Sequence, residues 1–546
     1  MKTSLLFATL MSIASFISTT LSQERTDAAL TDDPFRWLEE IEGPAAVAWV
    51  RAENEKTLGV LQSDPRYRHF YEQALAILQK DRIADIPLEG RGLEHFWQDE
   101  NQVRGVWRRT TRESDRSQLP KWETILDVDA LAVAENRNWV FQGASCLPPE
   151  ERLCLISLSD GGTDAASIRE FDRTAKTFVA DGFYLPEGKQ DVSWVDGDTL
   201  LVARDWGEGS LTQAGYPFVL KELKRAQPLS EAREIFRGEP TDVGTSAFVL
   251  RDSEGHIHAT GAARAISSFE SEYVVFRPDV LVKLNLPKKA EIATLACGRL
   301  LVKLDEDWTP SEDNRFTAGS VISYDLDEWK QDPPRAKASL VFQPGPGQAL
   351  SELTATKNFL ILTILENVQS KAFVYKYDQG AWSATPIPLP EHTGVSLSAT
   401  YDKADRVMFT VSSYLGPTSV WYFDAESKRL EELKKTPSAF DASNHVLEQL
   451  EATSRDGTSI PYFLVRPKNA RFDGAIPTLL HGYGGFQTPL LPSDLGPGGG
   501  SGSNRAMPMS LRTCAEAANL AHNGIKPPRG QRSRRHGMIS LPLPRT

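Results

Sequence analysis

Cysteine is scarce in this chain, four in 546 residues, which excludes a small fold held by a disulfide framework. Only one apolar run stands out, Leu5 to Ile17, and it is too short for a transmembrane helix of ~20 residues. Positive charge is in deficit: 61 Lys and Arg against 73 Asp and Glu leave a net charge of −12. Phosphate backbones are bound by basic faces, so nucleic acid is excluded as a partner. Two chemical signatures are also missing. Gly-x-Ser-x-Gly, the elbow that lifts a serine nucleophile off a strand, occurs nowhere. Gly482–Phe486 has neither the lysine nor the hydroxyl residue of a phosphate loop, and no cofactor is implied. His256 and His258 alternate on an expected strand. A metal site needs a third ligand and none is evident, so solvent-facing histidines are the better reading.

What is present begins with Lys2, the apolar run, then Ser18-Thr19-Thr20-Leu21-Ser22. A basic start, a short apolar stretch and small residues near a cleavage point make residues 1–22 a signal peptide. The mature protein is then expected to be exported, periplasmic or secreted, and off the membrane. In an oxidising compartment Cys146 and Cys154, close in sequence around Leu147-Pro148-Pro149-Glu150, are a candidate disulfide. Two unconnected buried thiols are the alternative. Cys297 follows the apolar Ala293-Thr294-Leu295-Ala296 and is expected in a core. The chain is long enough for two large domains.

Tyr67, Phe70, Tyr71, Ala74, Leu75 and Leu78 recur at helical spacing and predict an amphipathic helix over 66–79. A second helical pattern runs from Ala45 to Val60, so 33–82 reads as a helical segment. Short β segments then take over. Val192 and Trp194, then Leu200 and Val202, flank Asp196-Gly197, a tight-turn signal. An aromatic-Asp pair closes a strand at Phe171-Asp172, Tyr324-Asp325, Tyr377-Asp378 and Phe423-Asp424. These aspartates are 153, 53 and 46 residues apart, multiples of a unit of about 50, the length of a four-stranded propeller blade. Residues 83–446 then hold seven blades. A β-sandwich is the competing architecture, but its turns would not repeat at that period. From Leu447 the pattern changes to a hairpin over Asp456-Gly457, followed by Pro477-Thr478-Leu479-Leu480 as a buried strand. The fold class is mostly β: a seven-bladed β-propeller, an N-terminal helical segment, and over 447–496 the first strands of a further domain.

His481-Gly482-Tyr483-Gly484-Gly485-Phe486 follows that strand. Other marked segments are Asp33-Pro34-Phe35-Arg36-Trp37-Leu38-Glu39, Trp49 with Ala52-Glu53-Asn54, and Ser157-Leu158-Ser159-Asp160-Gly161-Gly162 with Arg169-Glu170-Phe171-Asp172. Together they resemble the prolyl oligopeptidase family of serine peptidases, its exported bacterial branch in particular, over residues 33–497. The resemblance implies a propeller capping an α/β-hydrolase domain that starts within 447–496, with the N-terminal helices packed on that domain. It implies cleavage of short peptides, without a cofactor or metal. It also makes Tyr483 a candidate oxyanion-hole residue, because a phenol on a glycine-rich turn can bring its O–H near developing negative charge.

The family's serine, aspartate and histidine come after that segment. Here only Glu516, His522 and His536 follow, in no recognisable context, with Ser501 and Ser503 in a glycine-rich linker. The 546 residues thus hold no triad, and the chain is expected to be inactive; a non-catalytic propeller binding peptides or macromolecules is the alternative. Residues 497–546 are anomalous, with eight Lys and Arg against one acidic residue and no Phe, Trp or Tyr. Without apolar periodicity no core is expected there. Their codons point to a cause. Ala506-Met507-Pro508-Met509, followed by a serine of the TCN type, permits x-Ala-x-Val when read from the third base. The same shift applied to Thr513 to Leu520 permits Leu-Arg-Gly-Gly-Gly-Glu-Phe. Both match the family's next motifs, so a frameshift near residue 497 and an aberrant basic tail over 497–546 are expected.

Overall fold

The computed structural model describes residues 33–40, 43–78, 93–111, 114, 120–312, 314–401, 403–438, 441–474, 476, 478–482, 489–493 and 509–513. The expected signal peptide lies outside them. The chain divides into two compact units near residue 76. The first holds helices Pro44–Ser63 and Tyr67–Leu78. Pro44 starts its helix where a missing N–H is harmless. Only Ala46 is buried among the described residues of this unit, while Trp49, Val50, Leu61, Phe70 and Tyr71 stay exposed. No helix among the described residues is long and apolar enough to cross a membrane.

The second unit opens with seven antiparallel sheets in sequence order. The first has three strands, Leu93–Trp97, Val106–Thr110 and Glu123–Asp127. The next six begin at Trp139, Gln190, Gly244, Ala290, Gln348 and Gly394, about 50 residues apart as a blade requires. Their first strands touch in succession, Gln190–Asp196 with Gly244–Arg251, then Ala290–Ala296, Gln348–Ala355 and Gly394–Tyr401. They therefore ring a common axis, and the seven sheets are the blades of a propeller.

Every aromatic-Asp pair closes the third strand of a blade. In three of the four, the aspartate accepts backbone N–H groups of the turn into the next segment. Asp172 takes those of Thr174 and Ala175 (both 2.9 Å), Asp325 those of Asp327 and Glu328 (both 3.1 Å), and Asp424 that of Ser427 (2.8 Å). Blades 3 and 4 close the same strand on Lys224 and Arg277. That explains why the first gap spans three blades. The aromatic partners Phe171, Tyr324 and Phe423 are buried between blades.

Blades meet face to face through side chains that alternate along the strands. Leu155, Ile168 and Leu185 of blade 2 meet Trp194, Leu200 and Val202 of blade 3. Leu250, Tyr273 and Val275 of blade 4 meet Leu300, Val302 and Ile322 of blade 5. Charges inside the seams are paired. Glu170 of blade 2 is buried, accepts the Phe183 N–H (2.7 Å), and takes a bidentate pair from Arg225 beyond the third strand of blade 3 (2.9 and 3.0 Å).

Between blades 7 and 1 no strand is exchanged among the described residues. His95 of blade 1 lies buried on that side, stacked on Trp122 (4.2 Å) and Trp97 (5.7 Å). Its Nε2 accepts from Arg108 Nε (2.6 Å), whose guanidinium covers both indoles (4.4 and 4.5 Å). Burial, then the charges of Arg108 and of Lys434 in blade 7, push the imidazole down to about 3.

A last sheet follows, in the order His445–Thr453, Ser459–Pro467, Met509–Thr513, Thr478–His481. Ser459–Pro467 runs antiparallel to both its neighbours, and the last strand runs parallel to Met509–Thr513. Three expectations are refined here. Thr478–His481 is not buried: it pairs with Met509–Thr513 alone, and Leu479 and Leu480 remain 61% and 52% exposed. The tail, expected to form no core, supplies one strand, Met509–Thr513, because a five-residue strand needs only backbone partners on its two sides. Cys297 packs against the core between blades 5 and 6 without being enclosed by it. It sits half-buried at a turn with φ +53°, its Sγ directed to Asn358 O (3.2 Å).

Leu200→Ala would open a cavity in a fully buried seam and is expected to cost about 2–5 kcal/mol in chemical denaturation of the whole chain. The depressed His95 value means the folded state holds a neutral ring while the unfolded chain protonates it below about 6.5. Its stabilisation is therefore complete above that pH and is lost as pH falls toward 3. Melting temperature is expected to drop through this window, and His95→Phe to flatten the drop. An equally steep drop in the variant would refute the assignment.

Candidate active site at the propeller–sheet joint

Tyr483 falls in 483–488, outside the described residues, as do Ser501, Ser503, Glu516, His522 and His536. What the structure gives are the two ends of the glycine-rich turn. On one side Thr478–His481 leads into it from the last sheet. On the other, residues 489–493 lie against blade 7. Leu491 O accepts from Tyr414 Oη (3.3 Å). Gly394, first residue of blade 7, faces Pro492 so closely that a Cβ would come within 2.4 Å of its carbonyl oxygen. The candidate oxyanion segment is thus bounded by the sheet and by one end of the propeller.

The same end carries the joint between the two. Val368 and Tyr414, at the turns between second and third strands of blades 6 and 7, pack with Phe463 and Val465 of the last sheet. Tyr414 meets Phe463 edge-on at 5.7 Å. Gln449 of the sheet accepts from Gln369 Nε2 and donates to Asn367 O (2.5 Å). Asn367 and Val368 have φ of +47° and +60°. Asn at the first position of a two-residue hairpin is a readable signal; a β-branched residue at the second is not. Holding Val368 there costs ~1–3 kcal/mol, which burying its side chain in the joint offsets by a similar amount.

Cys146 and Cys154 stand opposite each other in the first two strands of blade 2 and are joined by a disulfide, with Cα atoms 3.9 Å apart. His256 and His258 do not face solvent equally. His256 is largely exposed, His258 is mostly buried, and both reach the same Asp252 Oδ2 (3.1 and 2.9 Å). Burial alone would raise Asp252, but hydrogen bonds from His258 and His256 bring it down to about 2. Among the described residues no group of three or more His, Cys, Asp or Glu is placed to hold a metal.

Sequence patterns did not reveal Gly394, Tyr414, Val368 or Gln449, which come from separate segments. Gly394→Ala is expected to lift residues 489–493 from blade 7. Faster amide exchange over 445–467, with blade interiors unchanged, would be the signature; unchanged exchange in that sheet would show the contact to be incidental.

Residues 19–436 match the family described as prolyl oligopeptidase, N-terminal beta-propeller domain. An uncharacterized peptidase of Sinorhizobium fredii is 42% identical over 487 residues, 88% of this chain and 67% of the relative. A second, from Rickettsia prowazekii, is 28% identical across 83% of this chain and 64% of its own length. The prolyl endopeptidase of Elizabethkingia miricola is 21% identical, covering 84% of this chain and 62% of that protein. The chain therefore spans about two thirds of the length of these relatives. Among solved structures, a post-proline cleaving enzyme from Rickettsia typhi superposes with a TM-score of 0.82 at 25% identity, over 88% of this chain and 71% of that one. Oligopeptidase B from Trypanosoma brucei, at 17% identity and a TM-score of 0.68 over 90% of this chain and 69% of its own, shares the fold. On its propeller, and on its likeness to these peptidases, the chain belongs to the prolyl oligopeptidase family.

Proposed function

We propose that this protein is an exported serine-type oligopeptidase of short peptides, and that its 546 residues provide the propeller, the first sheet strands and the oxyanion tyrosine of that enzyme. The observation carrying the reading is the joint. A family propeller is seated on a sheet of order 1-2-4-3, and the strand Thr478–His481, which precedes the Gly-Tyr-Gly-Gly-Phe sequence, belongs to that sheet. In this reading Tyr483 donates its O–H to the tetrahedral oxyanion, while a serine attacks the carbonyl and a histidine carries the proton. The exposed apolar side chains of Pro44–Ser63 and Tyr67–Leu78 fit helices that pack on a hydrolase domain. The disulfide and the leader-like N-terminus support an oxidising compartment. The structural relative from Rickettsia typhi is a post-proline cleaving enzyme, which makes proline-containing peptides the first substrates to try.

The frameshift near residue 497 belongs to the same proposal. Protein of these 546 residues is expected not to hydrolyse a proline-containing chromogenic peptide, since no Gly-x-Ser-x-Gly is present. Hydrolysis that a serine-directed phosphonate abolishes would contradict this. If sequencing codons 490–546 reveals one frame change restoring Gly-Gly-Gly-Glu-Phe, the restored product is expected to cleave that peptide. Tyr483→Phe in it should lower kcat by about 10²–10³ with KM little changed. A restored product without peptidase activity would refute the function, and a fully active Y483F would remove Tyr483 from the oxyanion site.

A further inference from the structure

The turns between the first and second strands of blades 2 to 7 gather at one end of the axis, and neighbouring turns are linked there. Asp405 in blade 7 accepts from Thr356 Oγ1 (3.0 Å) and from Asn358 N and Nδ2 (both 2.7 Å) in blade 6. The last sheet touches the propeller at the opposite end, through Asn367, Val368 and Tyr414 in turns between second and third strands, and residues 489–493 meet Gly394 where blade 7 begins. Gln142, Asp191, Glu291 and Ser396 on first strands stay exposed, as along a water-filled axis.

One turn breaks the neighbour rule. The Pro149 ring of blade 2 lies against Gly255 in the blade 4 turn, where an added Cβ would meet Pro149 Cδ at 2.7 Å. Pro149 O also accepts from Lys403 Nζ in the blade 7 turn. Blade 3 separates blades 2 and 4, and blade 1 separates blades 2 and 7. A segment touching both partners must lie across the axis. We propose that residues 147–152 form a strap sealing the axial channel at the end remote from the last sheet, so that peptides enter from the sheet side alone. The peptide route rests on the oligopeptidase reading; the strap does not.

Its construction suits that role. Six residues separate Cys146 from Leu153, whereas the corresponding turns of blades 3 and 5 have two, Gly197-Asp198 and Cys297-Gly298. Six residues give it a reach that a two-residue turn lacks. The disulfide joins its base. Leu147 N donates to Leu153 O (2.8 Å), Glu151 N donates to Leu147 O (2.9 Å), and the Leu147 side chain packs on the seam of blades 2 and 3. Pro148 and Pro149 restrict the backbone at the tip and reduce the entropy lost on seating. The seat is shaped as well. Asp252 accepts the N–H groups of Glu254 (3.0 Å) and His256 (2.9 Å) and binds both imidazoles. The tight turn this makes presents Gly255 at φ +88°. A side chain at Gly255 would strain the backbone and push the strap away.

Crosslinking of the full chain tests the geometry. P149C/K403C treated with a short bismaleimide is expected to yield a 149–403 link, identified by peptide mass spectrometry and closing a loop of 254 residues. Absence of that link, with the native disulfide intact, would overturn the strap. The Leu147 and Glu151 amides are expected to exchange slowly in the parent chain and at least about tenfold faster in Lys403→Met, the effect of losing one charge-assisted bond; random-coil exchange in the parent would also overturn it. Association of a fluorescent proline-containing peptide is expected to proceed at the same rate with the link closed, and slowing would overturn the one-ended route. Failure to bind any peptide would count against the oligopeptidase reading, and the crosslink would still decide the strap.

Discussion

A blade of this propeller is apolar on both faces, and each face is covered only by the next blade. Leu200, Val202, Leu300 and Val302 are wholly inaccessible although they lie in different sheets, because the seams, not the sheets, exclude water. At ~25 cal/mol per Å² of apolar surface, a solitary blade would leave most of its hydrophobic stabilisation unrealised. The ring is therefore stable as a set or hardly at all. Polar groups admitted to a seam must be fully paired, since an unpaired buried carboxylate costs several kcal/mol. Glu170 meets that demand with three donors, from Arg225 and Phe183.

A ring needs one seam that the order of the chain does not provide. Here it lies between blades 7 and 1, and it is built differently from the others. On the blade 1 side the packing is Trp97, His95, Trp122 and Arg108, flat groups stacked with a hydrogen bond inside the stack. Stacked aromatics and a guanidinium supply contact area and directionality together. The cost is a buried histidine that must stay neutral, which ties this seam to pH as no aliphatic seam would be.

The period of the propeller was legible because one physical device recurs. An aspartate closing the third strand of a blade takes turn N–H groups in blades 2, 5 and 7, and its aromatic neighbour fills a seam, so selection for the turn and for the core leaves a two-residue mark. The hairpin over Asp456-Gly457 was legible for a similar local reason, with Gly457 at φ +84°. The joint was not. Val368 adopts a backbone that propensity argues against, and its reward comes from Tyr414 and Phe463, far away in sequence. The exposure of Leu479 and Leu480 was missed because an apolar pair says that a strand wants cover, not that it has it. His258 was misread for the opposite reason: alternation suggested an outward ring, and Asp252 draws it in.

The two ends of the propeller follow different rules, and the fold itself imposes the difference. At one end the turns between first and second strands of neighbouring blades are bound to one another, and the six-residue turn of blade 2 crosses the axis. At the other, the connections between second and third strands carry the large insertions, 205–218 and 305–320. Their counterparts in blades 6 and 7 seat the last sheet. Chain length can vary at that end without disturbing the seams, because those loops leave the strands after the buried positions are filled. An antiparallel blade assigns its connections to alternate ends strictly. A chain that elaborates one set and tightens the other therefore acquires a closed end and a receptive end, and residues 489–493 lie at the receptive one.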